Sequence, residues 1–477
     1  MIRVGDEYWA TSTSSEWAPH FPLFKSSDLL HWEQVGHIFQ TPPAWVEDGV
    51  TSDAHFWAPE LVVDKGRFFV IYTGQKKNGP LCVAVATAPQ ASGPYTDHGP
   101  LVCQELGSID GALVRDENDT LFLVWKEDGN SRDLPTPIWA QPLSEDGTQL
   151  VGEKKAILRN DVPWEGQLIE GPHLIKRNGW FYIFYSGAGC CGRGCNYGVG
   201  VARSKELLEG WEKNPLNPIM KDNEAFKCPG HGSVVTDPLN RDYFMYHAYR
   251  VTDSVYVGRQ AMLDPITWGE DGWPTINARR GAGGQVLAKP PAWGDEFTSA
   301  TQGWQWPVGR KPGVCIADGL LTLTVPVDQA INIVSGVLAR SPPSGNYTAV
   351  AVVNTAWSTA GTAVGLSALG DMKNAIGIAL RGPRVELWRR QDNNHQTLTT
   401  LNSPAAPGGK LHVRMTARRG YLLQFAVSPD GNAWTNVGGE QSGEYLPPWD
   451  RAVRVALTVG GVTGASARFD SMYIHPE

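Results

Sequence analysis

Three carboxylates stand out by position: Asp110 in GSIDGALV, Glu170 in EGQLIEGPHLI and Asp53 in TSDAHFWAPEL. Asp110 and Glu170 each lie at or just before an apolar segment that opens a repeated unit. Two carboxyl groups facing one pocket can cleave a glycosidic bond, one protonated to release the leaving oxygen and one ionised. Without convergence, an Asp before a strand only closes a turn. The elements that carry the pair therefore decide which reading holds.

The carrying element is a hairpin written five times. It occupies residues 4–12 (VGDEYWATS), 61–74 (LVVDKGRFFVIYTG), 112–125 (ALVRDENDTLFLVW), 172–187 (PHLIKRNGWFYIFYSG) and 233–249 (SVVTDPLNRDYFMYHAY). Each joins an apolar strand to an aromatic-rich one through a turn of Asp, Asn, Gly, Arg or Lys, residues that supply left-handed positions and local acceptors. Aligned on Tyr8, Phe69, Phe122, Tyr182 and Phe244, the hairpins recur roughly every 60 residues. So long a period without helical segments predicts four-stranded blades arranged radially, here a five-bladed β-propeller over residues 1–284. Opening strands line the axis of such a ring, which places Asp110 and Glu170 in the same register of neighbouring blades, across one pocket.

The texture changes after RRGAGG (279–284), and KPP at 289–291 marks residues 285–292 as a linker. Residues 293–477 alternate as LLTLTVPV, YTAVAVVNTAW, RVELWRRQ, KLHVRMTARR, LLQFAVSPDG and RVALTVGG, the pattern of a β-sandwich. The fold class is thus all-β, a propeller followed by a sandwich. At 477 residues, two or three domains are expected, and 53 glycines and 34 prolines suit a turn-rich chain. The 19 tryptophans serve core packing and, in part, flat surfaces on which sugar rings stack. A net charge of −8, with 41 basic residues scattered among 49 acidic ones, argues against nucleic acid and an anionic membrane surface as partners. No apolar run is long enough to span a bilayer, and MIRVGDEYW has no apolar core of a signal peptide.

Cys190, Cys191 and Cys195 crowd one loop, with Cys228 further on, while Cys82, Cys103 and Cys315 read as isolated. A disulfide within the loop or to Cys228 is expected; zinc, which favours CxxC pairs, and free thiols are the alternatives. A disulfide favours export. Residues 187–192 (GAGCCG) fit a dinucleotide fingerprint, but NYGVGVARS follows as a strand where pyrophosphate binding needs a helix N-terminus. No dinucleotide cofactor is expected.

The runs SSEWAPHFPLFKSSDLLHW, SDAHFWAPEL, GSIDGALVRDENDTLFLVW, IEGPHLIKRNGWFYIFYSG, PGHGSVV and VGRQAMLDPITWGEDGWP, one per blade and in order, resemble glycoside hydrolase family 43. The resemblance covers residues 1–284 and implies a five-bladed propeller hydrolysing β-xylosidic or α-L-arabinofuranosidic bonds with inversion. It implies Glu170 as general acid and Asp110 as the carboxylate that orients the acid and tunes its proton affinity. His231 lies under the sugar and helps hold a water or, through water, a structural calcium on the axis; no other cofactor is implied. Arg259 contacts sugar hydroxyls, Trp57 shapes the pocket wall, and Trp17 and Phe21 form an apolar rim. Asp53 matches no catalytic position and caps a turn. The family's catalytic base is an Asp just before the first hairpin, whereas this sequence begins inside it, and Asp6 belongs to the outward turn. The expectation is an upstream stretch bearing that Asp and an export signal, for a secreted or periplasmic protein. The second region resembles the concanavalin-like sandwich of family β-xylosidases, with a plain carbohydrate-binding module as rival. The reading is an exo-acting β-xylosidase or α-L-arabinofuranosidase on xylan or arabinoxylan. Its alternatives are an exo-galactanase or endo-arabinanase on the same fold, and a sugar-binding propeller without catalysis.

Overall fold

The computed structural model describes the whole chain apart from residues 284, 287–291, 301–302, 328–331, 359–360, 407 and 448–451. The chain divides into two compact units, residues 1–251 with 260–288, and residues 252–259 with 289–477. The expected linker at 285–292 falls largely outside the described residues, although Gln285–Val286 pairs with the strand Gln260–Trp268.

The first unit is the expected propeller. Five antiparallel sheets follow in chain order, blade I at residues 2–39, II at 57–102, III at 108–158, IV at 169–213 and V at 226–276. Each runs from an inner to an outer strand in sequence order, and tight turns join the first two strands of blades I, II and IV. The opening strands Trp57–Asp64, Ser108–Arg115, Ile169–Arg177 and Phe226–Thr236 neighbour one another in turn. Blade I's opening strand, Ile2–Val4, lies beside those of blades II and V and completes the ring.

A blade is apolar on both faces, so the core lies between blades. Ile71, Val83 and Val85 meet Leu123 and Trp125 between II and III. Val124 and Ile138 meet Ile183 and Tyr185 between III and IV. Phe184 and Val201 meet Phe244 and Met262 between IV and V, and Tyr8 and Leu29 meet Val235 and Leu263 between I and V. Phe21, Phe39, Phe56 and Tyr72 fill the seam between I and II with edge-to-face rings.

The second unit stacks two antiparallel sheets. All six segments expected to be strands are strands. The sequence reading kept residues 252–259 in the propeller, but they group with this unit. Asp253 Oδ2 accepts the Gly345 N–H at 3.1 Å, the Tyr256 carbonyl accepts the Val453 N–H at 3.0 Å, and Tyr256 packs on Tyr421.

Candidate active site on the propeller axis

The opening strands of blades II to V share an irregularity. Each loses register with its partner strand, between Trp57 and Glu60, Ile109 and Ala112, Glu170 and His173, and Gly230 and Ser233, and blade V does so a second time between Lys227 and Gly230. At each, the first bulged residue has a positive φ: Ala58 41°, Asp110 57°, Gly171 60° and His231 46°. These are β-bulges led by a left-handed residue, a device that bends a strand and re-aims side chains beside active sites. For non-glycine residues the conformation costs about 1–3 kcal/mol and persists only where the surroundings over-determine it. Hydroxyls of the preceding blade help to do so. Thr73 Oγ1 accepts the Asp110 N–H at 3.2 Å, and Ser186 Oγ accepts the His231 N–H at 2.8 Å.

The bulges correct the expected register. Asp110 occupies the bulge itself, like Gly171 and His231, whereas Glu170 stands one residue earlier, like Ile109 and Trp57. They converge all the same. Asp110 Oδ2 accepts the N–H of Gly171, the residue after Glu170, at 2.9 Å, and lies 3.9 Å from His231 Nδ1. Gly171 has to be glycine, since a Cβ there would stand 2.9 Å from the His231 ring.

Glu170 is gripped from two sides. Lys126 Nζ lies 2.7 Å from Oε2, and the Tyr197 hydroxyl donates to Oε1 at 2.8 Å. Lys126 is itself fully buried and also donates to Asp128 at 2.8 Å. Burial pushes the Glu170 carboxyl up, but the Lys126 ammonium and the Tyr197 hydroxyl outweigh it and hold the group below the usual carboxylate range. Asp110 is held above that range, by burial first and by the Glu170 charge, against the pull of His231 and Lys126. One step further along the strands, Glu60 Oε1 pairs with His173 Nδ1 at 2.8 Å across the axis.

Sequence reasoning missed Lys126, Tyr197, Glu60 and His173 as site residues. Lys126 carried a signal, a lone cation ending the apolar strand LFLVW. Glu60 and His173 lay inside quoted motifs, and nothing marked Tyr197.

A family model described as glycosyl hydrolases family 43 matches residues 1–274. The chain belongs to that family. A Butyrivibrio fibrisolvens protein named xylosidase/arabinosidase is 32% identical over 289 residues, 58% of this chain, and this chain spans about half of that relative's length, 54%. A Bacteroides ovatus non-reducing end alpha-L-arabinofuranosidase is 26% identical over 86% of this chain and 79% of its own. Among solved structures, the family 43 protein BlXynB of Bacillus licheniformis superposes with a TM-score of 0.85 at 22% identity, covering 100% of this chain and 97% of its own, a likeness of fold.

The remaining residues expected from family 43 distribute unevenly. Trp57 shares the register position of Glu170, is half-buried, and meets the His55 ring edge-on at 4.5 Å. Phe21 forms no open rim; it is fully buried in the aromatic seam between blades I and II. Trp17 is buried as well. Arg259 ends the segment that groups with the second unit. Asp6 is exposed in the turn between Ile2–Val4 and Glu7–Thr11. At the turn containing Asp53, the carboxylate of Glu16 accepts the N–H groups of Ala54 and His55, at 2.8 and 2.9 Å.

The thiols pair more fully than expected. Cys195 bonds Cys228 and Cys190 bonds its neighbour Cys191, both within the anticipated options. Cys82 and Cys103, read as isolated, form a third bridge between the third strand of blade II and the residue just after its fourth, and Cys315 is free.

Proposed function

We propose that this protein is an inverting, exo-acting β-xylosidase or α-L-arabinofuranosidase working on xylan or arabinoxylan. One observation carries the reading: Asp110 and Glu170, from neighbouring blades, are linked through the Gly171 N–H at the axis. Glu170 protonates the leaving oxygen, and Asp110 fixes the backbone from which Glu170 projects and adds a negative charge that favours the protonated acid. His231 and Trp57, at the bulge and just before it, contact the sugar. The names of the relatives supply the sugar class. The water-activating base is not assigned to a residue of this chain. A calcium near His231 would rest mainly on water, since calcium favours oxygen ligands and His231 offers imidazole. Three disulfides suit an exported protein.

The test is turnover of p-nitrophenyl β-xyloside and α-L-arabinofuranoside by the full-length protein, with the product anomer followed by NMR. Release of the inverted sugar is expected. Retention, or no release from either glycoside, would overturn the reading.

A further inference from the structure

The loop between the second and third strands of blade IV, residues 188–197, leaves the ladder where Glu170 sits. Glu170 pairs with Ser186 and Ile169 with Gly187, and Gly187 pairs on its other side with Gly198. The loop thus opens within two residues of the acid's partner and ends on Tyr197. It closes on itself through Gly189 and Asn196, which exchange the Asn196 N–H to the Gly189 carbonyl at 3.0 Å and the Gly189 N–H to Asn196 Oδ1 at 2.8 Å. Its far end is tied to blade V by the Cys195–Cys228 disulfide, two residues before the acid's hydroxyl partner and three before His231. Blade V is shaped to receive Tyr197. The ring lies parallel to His247 at 5.8 Å, and a Cβ on Gly230 would stand 2.2 Å from it. Glycine at 230 is therefore needed for the ring to reach Glu170.

Resting on the function proposed above, we infer that Tyr197 is a positioning residue for the Glu170 carboxyl, and that the Cys195–Cys228 bridge holds it at that post. The hydroxyl grips Oε1, leaving Oε2 to Lys126, so the carboxyl plane is set by two donors from two blades. Asp110 and His231 face the same carboxyl from the opening strands of blades III and V, and Asp128 stands behind Lys126. Lys126, Asp110 and His231 lie within strands, whereas Tyr197 ends a ten-residue loop. A loop residue needs a tether, and the disulfide to the blade that houses its ring supplies one.

The test compares the full-length wild type with Tyr197→Phe, Cys195→Ala/Cys228→Ala and Gly230→Ala. Tyr197→Phe keeps the ring and deletes one donor to the ionised acid, so Glu170 should hold its proton to higher pH. The basic limb of kcat/KM should move upward, and kcat on poor leaving groups should fall on the order of tenfold with KM within about twofold. The bridge-less and Gly230→Ala proteins should shift the limb in the same direction. Carboxyl carbon NMR of Glu170, in wild type and Tyr197→Phe, reads the same titration without turnover and also decides if a variant folds but is inactive. An unmoved titration in Tyr197→Phe would overturn the positioning role. An unmoved limb in the bridge-less protein, beside a shifted one in Tyr197→Phe, would overturn the role of the disulfide. A wild type that turns over no glycoside yet shows the NMR shift would sink the function and leave this inference standing.

Discussion

Glu170 and Asp110 are a pair whose environments push them apart. Both are buried, yet Lys126 favours the charge on Glu170, while Asp110 faces that charge and burial together. A carboxyl held this way is protonated only toward acidic pH, so in the proposed role its neighbours set the working range. Glu170→Gln should lower the rate on poor leaving groups by about 10²–10⁴, the usual worth of general acid catalysis, and far less on activated aryl glycosides. Equal losses on both would refute its role. Asp110→Asn removes a negative neighbour that favours the proton on Glu170, so the basic limb of the pH profile should move to lower pH. Lys126→Met removes the cation opposing that proton and should move the limb the other way. It should also destabilise the fold by about 3–5 kcal/mol, as breaking a buried ion pair does. A pH–rate series on both variants separates the signs.

At the level of the element, the site is made by bulges rather than by smooth strands. A regular strand would alternate its side chains across the blade and give Asp110 and Glu170 no common focus. A left-handed residue in the opening strands of blades II to V bends each strand there, and Gly171 leaves room for the His231 ring of the next blade. Gly171→Ala should therefore cost about 1–3 kcal/mol from its positive φ and from crowding against His231, with a loss of activity larger than the loss of fold. Gly194→Ala is the control: a Cβ there meets nothing within 4 Å, and its stability should stay within about 0.5 kcal/mol of wild type. Thermal unfolding beside turnover measures both.

At the scale of the whole molecule, two histidines of blade I that are held neutral by burial tie stability to pH. His20 is fully buried, stacks on Phe56 at 3.8 Å, and is pushed by burial from 6.5 down to about 3. His37 is lowered to about 4 by burial as well. A histidine that stays neutral in the fold takes up a proton on unfolding at mildly acidic pH. Its contribution is complete above about pH 6.5 and is lost as pH falls toward the folded value. Each such group costs up to about 1.4 kcal/mol per pH unit in that window. The melting temperature should drop between pH 6.5 and 4.5, and His20→Leu should flatten the slope. Parallel slopes would show that His20 is not responsible.

The blades were legible because a hairpin is a local object. Its turn residues and the aromatic strand of each repeat lie within a few positions of one another, and the period of the repeats follows from counting. Asp110 and Glu170 stood out for the same reason, each beside its own hairpin. Sandwich strands with alternation, such as Lys410–Arg418, were legible too, whereas Ala363–Leu369 and Ala375–Arg381 were not, since both are almost wholly apolar and buried and show no period of two. Tertiary structure alone decided which side chains meet. Lys126 reaches Glu170 across 44 positions and His173 reaches Glu60 across 113, distances over which spacing carries no information. It decided that Phe21 is core, because burial depends on what the next blade brings. It paired Cys82 with Cys103, which only a shared sheet brings within bonding reach. It also set the register of Glu170 against Asp110, because a bulge inserts one residue that no pattern of polarity reveals.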